Sequence, residues 1–340
     1  MTQRRLILLF VVSLVVLGLA VWVTNREQNS GASLAGARVL PGLRARLNAV
    51  TRVRISGPNG KHVVIEKGAR RWMVSERDYP ANTGQLRKLL IDLGNLKVVQ
   101  TKTRLAKNYP VLGVQSLSAK GATGVRIDVI SPRRTWSLIV GHTALQGTAS
   151  YVRRVGHKRS LLATPLIMTN AKAAQWLEPV ILDIAAKRVR SIEERLAGQR
   201  PYSIERAKPT DAHFTVLGIP AGRRISSPGA ADDDASALAN LTLTNVHKAL
   251  APPRGAALSR AIFTTFGRLS LTVSGYRIGK KGPCHVDITA RGTGTKALAE
   301  AEAINARVHG WTYTIPSYEY RQIFQRLSGL LQPLPKPKRP

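Results

Sequence analysis

Cysteine, aromatics and acid are all scarce in this sequence. Cys284 is the single cysteine among 340 residues. No intrachain disulfide can form, and no cysteine cluster can hold zinc or an iron–sulfur centre. Aromatic side chains make up 5% of the chain, which leaves little material for the stacking platforms that seat unpaired bases. Asp and Glu number 19 against 52 Lys and Arg, a formal charge of +33. Seven histidines are scattered at His62, His142, His157, His213, His247, His285 and His309. No two have the i, i+4 spacing of a helical zinc site, so they read as ordinary surface or core histidines. There is no Gly-x-Ser-x-Gly elbow, and the Ser, His and Asp present have no spacing that argues a triad. The expectation is no catalytic residue, no metal and no cofactor. At 44% the apolar content is that of a folded protein, and the length suffices for two ordinary domains.

One long apolar run is present. Arg4 and Arg5 precede 18 apolar or small residues, Leu6 to Val23. At 1.5 Å per helical residue such a run reaches about 27 Å, close to the roughly 30 Å hydrocarbon core. Two readings fit, a retained single-pass anchor and a secretory signal cleaved after Gly18-Leu19-Ala20. Trp22 and Val23 extend the run beyond that site, which favours the anchor. Arg4 and Arg5 should stay cytoplasmic and place the rest outside, in the periplasm of a Gram-negative cell. The localisation expected is the inner membrane, single-pass, with the bulk of the chain periplasmic. A lone cysteine suits that oxidising space.

Beyond the anchor (residues 1–26), small polar residues from Glu27 to Ala37 read as a linker, taken to residue 49, with a short helical segment around Leu40 to Leu47. Alternation then sets in. Val53/Ile55, Val63/Ile65 and Trp72/Val74 mark three strands, with turns at Pro58-Asn59-Gly60 and Lys67-Gly68-Ala69. Asn82 or Thr83 caps a helix through Leu86, Leu89, Leu90, Leu93 and Leu96. Strands return at 125–129 and 136–140 across Ser131-Pro132, and at 151–152 and 160–162, before a helix from Thr164-Pro165 to Leu177. The pattern then recurs. Val189 to Ile192, Tyr202 to Glu205 and Phe214 to Val216 echo the first trio, a helix is expected from about Ala235 to Leu250, and Leu269 to Val273 matches Val125 to Val129. Ser226 to Asp234 reads as a loop whose Asp234, or Ser236, caps that helix. A strand at Trp311 to Ile315 and a helix through Ile323, Leu327 and Leu330 close the body. The expected fold is α+β. Two tandem repeats of antiparallel strands with packed helices, 50–185 and 186–332, stand behind one N-terminal transmembrane helix, and the basic, proline-rich residues 333–340 form an extended tail.

These motifs in this order carry a resemblance. Val-Thr-Arg-Val-Arg-Ile (50–55) leads to Ile65-Glu66-Lys67, Arg71-Trp72-Met73-Val74 and Tyr79-Pro80-Ala81-Asn82 before the leucine helix. Leu112-Gly113, Gly141, Tyr151-Val152-Arg153, Trp176-Leu177, Val189 to Ile192 and Gly310 to Pro316 follow. Over about residues 50 to 331 the chain resembles the bacterial family called domain of unknown function 4340. The resemblance implies an inner-membrane anchor and, for some members, association with gliding-motility-type ABC transporter components. It implies no agreed enzymatic activity, and no catalytic residue carries over. Tyr109-Pro110-Val111-Leu112-Gly113 departs from the expected Tyr-Gly-Leu followed by Asp and Pro, which bears on one turn.

Charge is the strongest chemical signal. Arginine (35) outnumbers lysine (17), and basic pairs recur along the chain. The guanidinium fork suits phosphate and carboxylate. The candidate anion-binding residues are Arg133, Arg134, Arg153, Arg154, Lys280 and Lys281. Behind an anchor, the expected partners are the lipid bilayer through residues 6–23, other inner-membrane proteins, and anionic lipid or envelope polymer; nucleic acid is not expected. Solubility and an arginine-rich composition are the plain alternative for the charge. Gly275 to Lys281 resembles a phosphate loop but has three intervening residues instead of four and lies between strand-like runs, where a hairpin turn is expected, and Arg291 to Lys296 reads as a strand-to-helix loop or an anion cradle. Cys284 reads as a small buried filler. The function expected is a non-enzymatic envelope scaffold or accessory subunit; the alternative is a protein that binds or acts on an anionic envelope lipid or polymer.

Overall fold

The computed structural model describes residues 34–333, apart from 146 and 280, together with 13 and 15–18. The expected anchor therefore lies outside the described residues except at Ser13 and residues 15–18, which are helical and exposed. Among the described residues no helix is long and apolar enough to cross a membrane. Of the expected tail, residues 334–340 lie outside the described residues. The chain divides into two compact units, Met1–Trp176 and Leu177–Pro340. Both are mostly antiparallel sheet with a few helices.

Among the described residues unit 1 contains nine strands: β1 (Arg52–Ser56), β2 (His62–Lys67), β3 (Trp72–Val74), β4 (Tyr79–Pro80), β5 (Lys97–Thr101), β6 (Val125–Ser131), β7 (Arg134–Thr143), β8 (Ser150–Arg154) and β9 (Ser160–Thr164). They form one sheet in the order β4-β3-β2-β1-β6-β7-β8-β9-β5. The alternation read from the sequence is what builds it: Val53 and Ile55 are fully buried, while Arg52 and Arg54 face outward. Asn59 and Gly60 turn the first hairpin at φ of 62° and 73°. Helix α1 (Thr83–Asn95) starts where expected, with Asn82 Oδ1 accepting the Gln85 N–H at 2.9 Å, and Leu86, Leu89, Leu90 and Leu93 are buried.

Three expectations for this unit are corrected. Residues 38–49 are not a linker: Val39, Leu40 and Leu43 are buried, Val39 N–H donates to Leu96 O at 2.9 Å, and a 3-10 turn, Arg44–Ala49, packs on α1. Their apolar side chains fill the flank of the leucine helix. The helix expected from Thr164 to Leu177 shrinks to a 3-10 turn, Ala173–Trp176. Asn170 Oδ1 takes the Lys172 N–H, and Asn170 O takes the Trp176 indole N–H at 3.0 Å, so local side-chain bonds compete with the helix. The boundary between units falls at Trp176/Leu177 instead of 185/186.

That shift follows from β10 (Val180–Leu182), which pairs with β14 (Leu241–Thr242) in unit 2. The remaining strands of this unit are β11 (Val189–Arg195), β12 (Tyr202–Glu205), β13 (Thr215–Leu217), β15 (Asn245–Lys248), β16 (Ser259–Thr265), β17 (Leu269–Arg277), β18 (Cys284–Gly292) and β19 (Trp311–Ile315). Their order is β13-β12-β11-β16-β17-β18-β19-β15. It follows the order of the first sheet, with β11 standing where β1 stands, β16 for β6 and β15 for β5. The partner of β11 is thus β16, not β17, so the match of Leu269–Val273 to Val125–Val129 is off by one strand.

Helix α2 (Thr295–Val308) packs on β18, and α3 (Ser317–Ile323) and a turn at Leu327–Leu330 end the body as two pieces instead of one helix. The helix expected at 235–250 does not form. Asp232–Ser236 is a 3-10 turn with no side-chain cap, Asn240 sits at φ 52°, and β14 and β15 follow. Leu241 and Leu243 alternate, and the β-branched Thr242, Thr244 and Val246 favour strand, so the period is 2 and not 3.6.

Candidate functional site

The face of the first sheet opposite Val53 and Ile55 carries polar side chains in register. Arg54 lies opposite Asp128, and Asp128 opposite Ser137; Ser56 lies opposite Arg126, Arg126 opposite Ile139, and Ile139 opposite Arg153. All of these but Ser137, together with Ser116 and Ser118 from the segment after Gly113, line a groove of about 530 Å³. Three guanidinium groups, from β1, β6 and β8, meet there with three serine hydroxyls.

Each cation is held differently. Arg153 is 8% exposed; its Nε donates to Val114 O at 2.8 Å and its Nη1 to His157 O at 3.1 Å. Its guanidinium stacks 4.7 Å from the Tyr109 ring centroid. Carbonyls and a π face, not a carboxylate, are the recorded partners of the Arg153 guanidinium. Arg126 is paired: its Nε donates to Asp128 Oδ1 at 2.9 Å, where the Ser137 hydroxyl also donates. Arg54 is exposed beside them.

The groove wall depends on one close approach. The turn Tyr109–Leu112 closes on Gly113 at φ 67°, with Pro110 in its first turn, where a missing N–H costs nothing. The departure at Tyr109–Gly113 therefore leaves a regular turn, and the Tyr109 hydroxyl donates to Lys158 O. A Cβ on Gly141 would stand 2.0 Å from Leu112 O, so glycine lets that turn lie against β7.

A family model described as domain of unknown function (DUF4340) matches residues 72–254. This chain belongs to that family. The match is narrower than the span of about 50 to 331 read from the motifs, and includes both the Trp72 strand and Trp176. Comparison with curated proteins and with solved structures gave no match.

The expected anion-binding residues of this DUF4340 chain do not share one surface. Arg153 and Arg154 are consecutive on β8, so the pleat sends them to opposite faces. Arg154 instead joins Arg134, Trp136 and His157 around a separate hollow of about 240 Å³. There Arg134 stacks 5.3 Å from the Trp136 ring, and Arg154 Nη2 lies 3.3 Å from His157 Nδ1. Arg133 is exposed in the β6–β7 turn. Lys281 is exposed in the β17–β18 turn, and Lys280 lies outside the described residues. Arg54 and Arg126 escaped the sequence reading because each is a single base on an alternating strand; the pairing sets Arg54 against Asp128 and Arg126 against Ser56.

The other polar clusters lie in unit 2. His247 and His285, far apart in sequence, come to a ring separation of 6.3 Å, which corrects the reading of mutually isolated histidines. His285 is buried, with Thr314 Oγ1 3.4 Å from its Nδ1; burial, and then the neighbouring His247, lower its pKa. Asp287 accepts from Thr312 Oγ1 at 2.6 Å and is raised by burial. Among the described residues no group of three His, Cys, Asp or Glu is placed to hold a metal ion. Of the aspartate run, Asp232 pairs with His213 at 2.7 Å and takes the Phe214 N–H, while Asp234 is buried, so neither Asp234 nor Ser236 caps a helix. At Arg291–Lys296 a Cβ on Gly292 would meet Ala297 O at 2.0 Å, so the glycine serves close strand-to-helix packing.

Proposed function

We propose that this DUF4340 chain is a non-enzymatic protein of the cell envelope, held in the inner membrane by residues 6–23 with its two units in the periplasm. Its first unit recognises an anionic group of an envelope lipid or polymer in the Arg54–Arg126–Arg153 groove. The observation that carries this reading is the convergence of three guanidiniums from one sheet face with the hydroxyls of Ser56, Ser116 and Ser118 on one groove. Guanidinium forks and hydroxyls match phosphate and carboxylate oxygens. The groove offers no histidine beside its serines, which favours binding over hydrolysis. The apolar run supports the anchor, and the common strand order supports an origin of the two units by duplication. The family resemblance adds partners among inner-membrane proteins, such as ABC transporter components, which crosslinking in intact cells followed by pulldown tests.

The groove itself is tested with vesicles. Residues 34–333 without the anchor should co-sediment with anionic vesicles and not with neutral ones. Each base near such a surface contributes about 1 kcal/mol. Binding should fall between 0.1 M and 1 M salt, as the Debye length drops from about 10 Å to about 3 Å. The double substitution Arg54→Glu and Arg126→Glu should weaken it about tenfold or more. Equal binding by the variant would leave the groove without a role.

A further inference from the structure

The glycine- and lysine-rich hairpin from Gly275 to Lys281 takes on a second meaning in unit 2. Arg277 and Gly279 of the β17–β18 hairpin form one wall of a pocket of about 390 Å³. Arg321 and Tyr320 of α3, and Arg326 just beyond it, form the facing wall. Three guanidiniums thus border one pocket, and no Asp or Glu lies among its lining residues. Guanidinium forks match the oxygens of a phosphate or a carboxylate. The lining of the groove in unit 1, by contrast, includes Asp128.

The rest of the lining narrows the ligand. Leu196, Ala257 and Phe324 make an apolar side, and the Tyr320 and Phe324 rings lie 4.6 Å apart. Arg277 stacks 5.7 Å from the Tyr320 ring, and its Nε donates to the buried Cys284 Sγ at 3.2 Å, which anchors the guanidinium on the sheet. Tyr320 is pushed up to about 12, chiefly by burial, so its hydroxyl stays protonated and can donate. A pocket of this size with an apolar floor and a few converging polar groups has the form of a small-molecule site.

We infer that this pocket binds an amphipathic anion: a phosphate monoester or carboxylate joined to an apolar chain or ring. The head sits among Arg277, Arg321 and Arg326, and the body lies against Leu196 and Phe324. The ligand can be a membrane lipid's headgroup region or a soluble ester, and the same seat serves either. This inference is independent of the groove in unit 1.

The test uses the full chain in neutral phosphatidylcholine nanodiscs, carrying Arg54→Glu and Arg126→Glu so that the groove does not contribute. Hexyl phosphate is titrated by calorimetry, with empty nanodiscs subtracted, against hexyl glucoside and inorganic phosphate. Hexyl phosphate should bind at one site per chain, inorganic phosphate at least tenfold more weakly, and hexyl glucoside without measurable heat. Arg321→Glu with Arg326→Glu, both exposed positions whose exchange spares the core, should weaken hexyl phosphate at least tenfold. Tyr320→Phe should weaken it about threefold. Displacement of hexyl phosphate by phosphatidate in the nanodisc assigns the seat to a lipid; retention assigns it to a soluble ester. Unchanged affinity in the Arg321/Arg326 variant, or equal binding of hexyl glucoside, overturns the inference.

Discussion

Replacing Glu194 by Gln should flatten the pH dependence of the stability of unit 2. Glu194 lies on β11, is 2% exposed, and its Oε2 has no hydrogen-bond partner. Burial, and after it the charge of Asp234, push its carboxyl up to about 10. Burial, with Asp233 as a second cause, raises Asp234 to about 7. In an unfolded chain these groups titrate near 4. The folded state therefore holds protons that the unfolded state has already released. Stability is full below about pH 4 and is lost as pH rises, by about 1.4 kcal/mol per pH unit for each such group. Between pH 4 and 7 both acids contribute. Above pH 7 the Asp234 contribution levels off and Glu194 alone keeps the slope. From pH 7 to pH 9 the wild-type chain should thus lose about 3 kcal/mol more than Glu194→Gln, which cannot ionise. Glutamine keeps the shape of the neutral acid, so the two chains should be nearly equal at pH 5. The assay is urea unfolding followed by circular dichroism at pH 5, 7 and 9. Parallel profiles for the two chains would mean that Glu194 is already ionised in the fold, and would refute the reasoning.

Asn82→Ala should destabilise unit 1 by about 1 kcal/mol, the usual loss for an N-cap, while Asn82→Ser should recover most of it; thermal unfolding of the two variants decides. Gly141→Ala should be far worse than its one methyl suggests, because the added carbon meets Leu112 O at 2.0 Å. The turn at 109–113 must then move off β7. Faster hydrogen exchange at Val114 and Ile139, with anionic vesicle binding weakened alongside, would report that movement, and unchanged exchange would contradict it.

The sequence by itself determined β1–β3 and β6–β9 of the first sheet, β11–β13, β17 and β19 of the second, and the start of the leucine helix. Alternation at Val53/Ile55 and Val63/Ile65 has a period of two, and a chain with that period has one way to bury its apolar side. Asn82 ahead of a run of leucines is as local a signal, since a cap needs only three residues to act. Family membership was legible for the same reason, being carried by ordered short motifs. Tertiary structure decided the rest. Leu238 and Leu241 stand at helical spacing and Leu241 and Leu243 at strand spacing, and the pairings of β14 with β10 and of β15 with β19 settled Leu241 and Val246 as strand. Residues 38–49 looked like linker until α1 offered a surface to cover. The groove is a further step removed: Arg54, Arg126 and Arg153 lie far apart in the chain, and only the order β1-β6-β7-β8 and its register bring their guanidiniums to one face. Arg153 and Arg154 show the converse. Neighbours in sequence, they are parted by the pleat, because a strand turns each successive side chain to the opposite side.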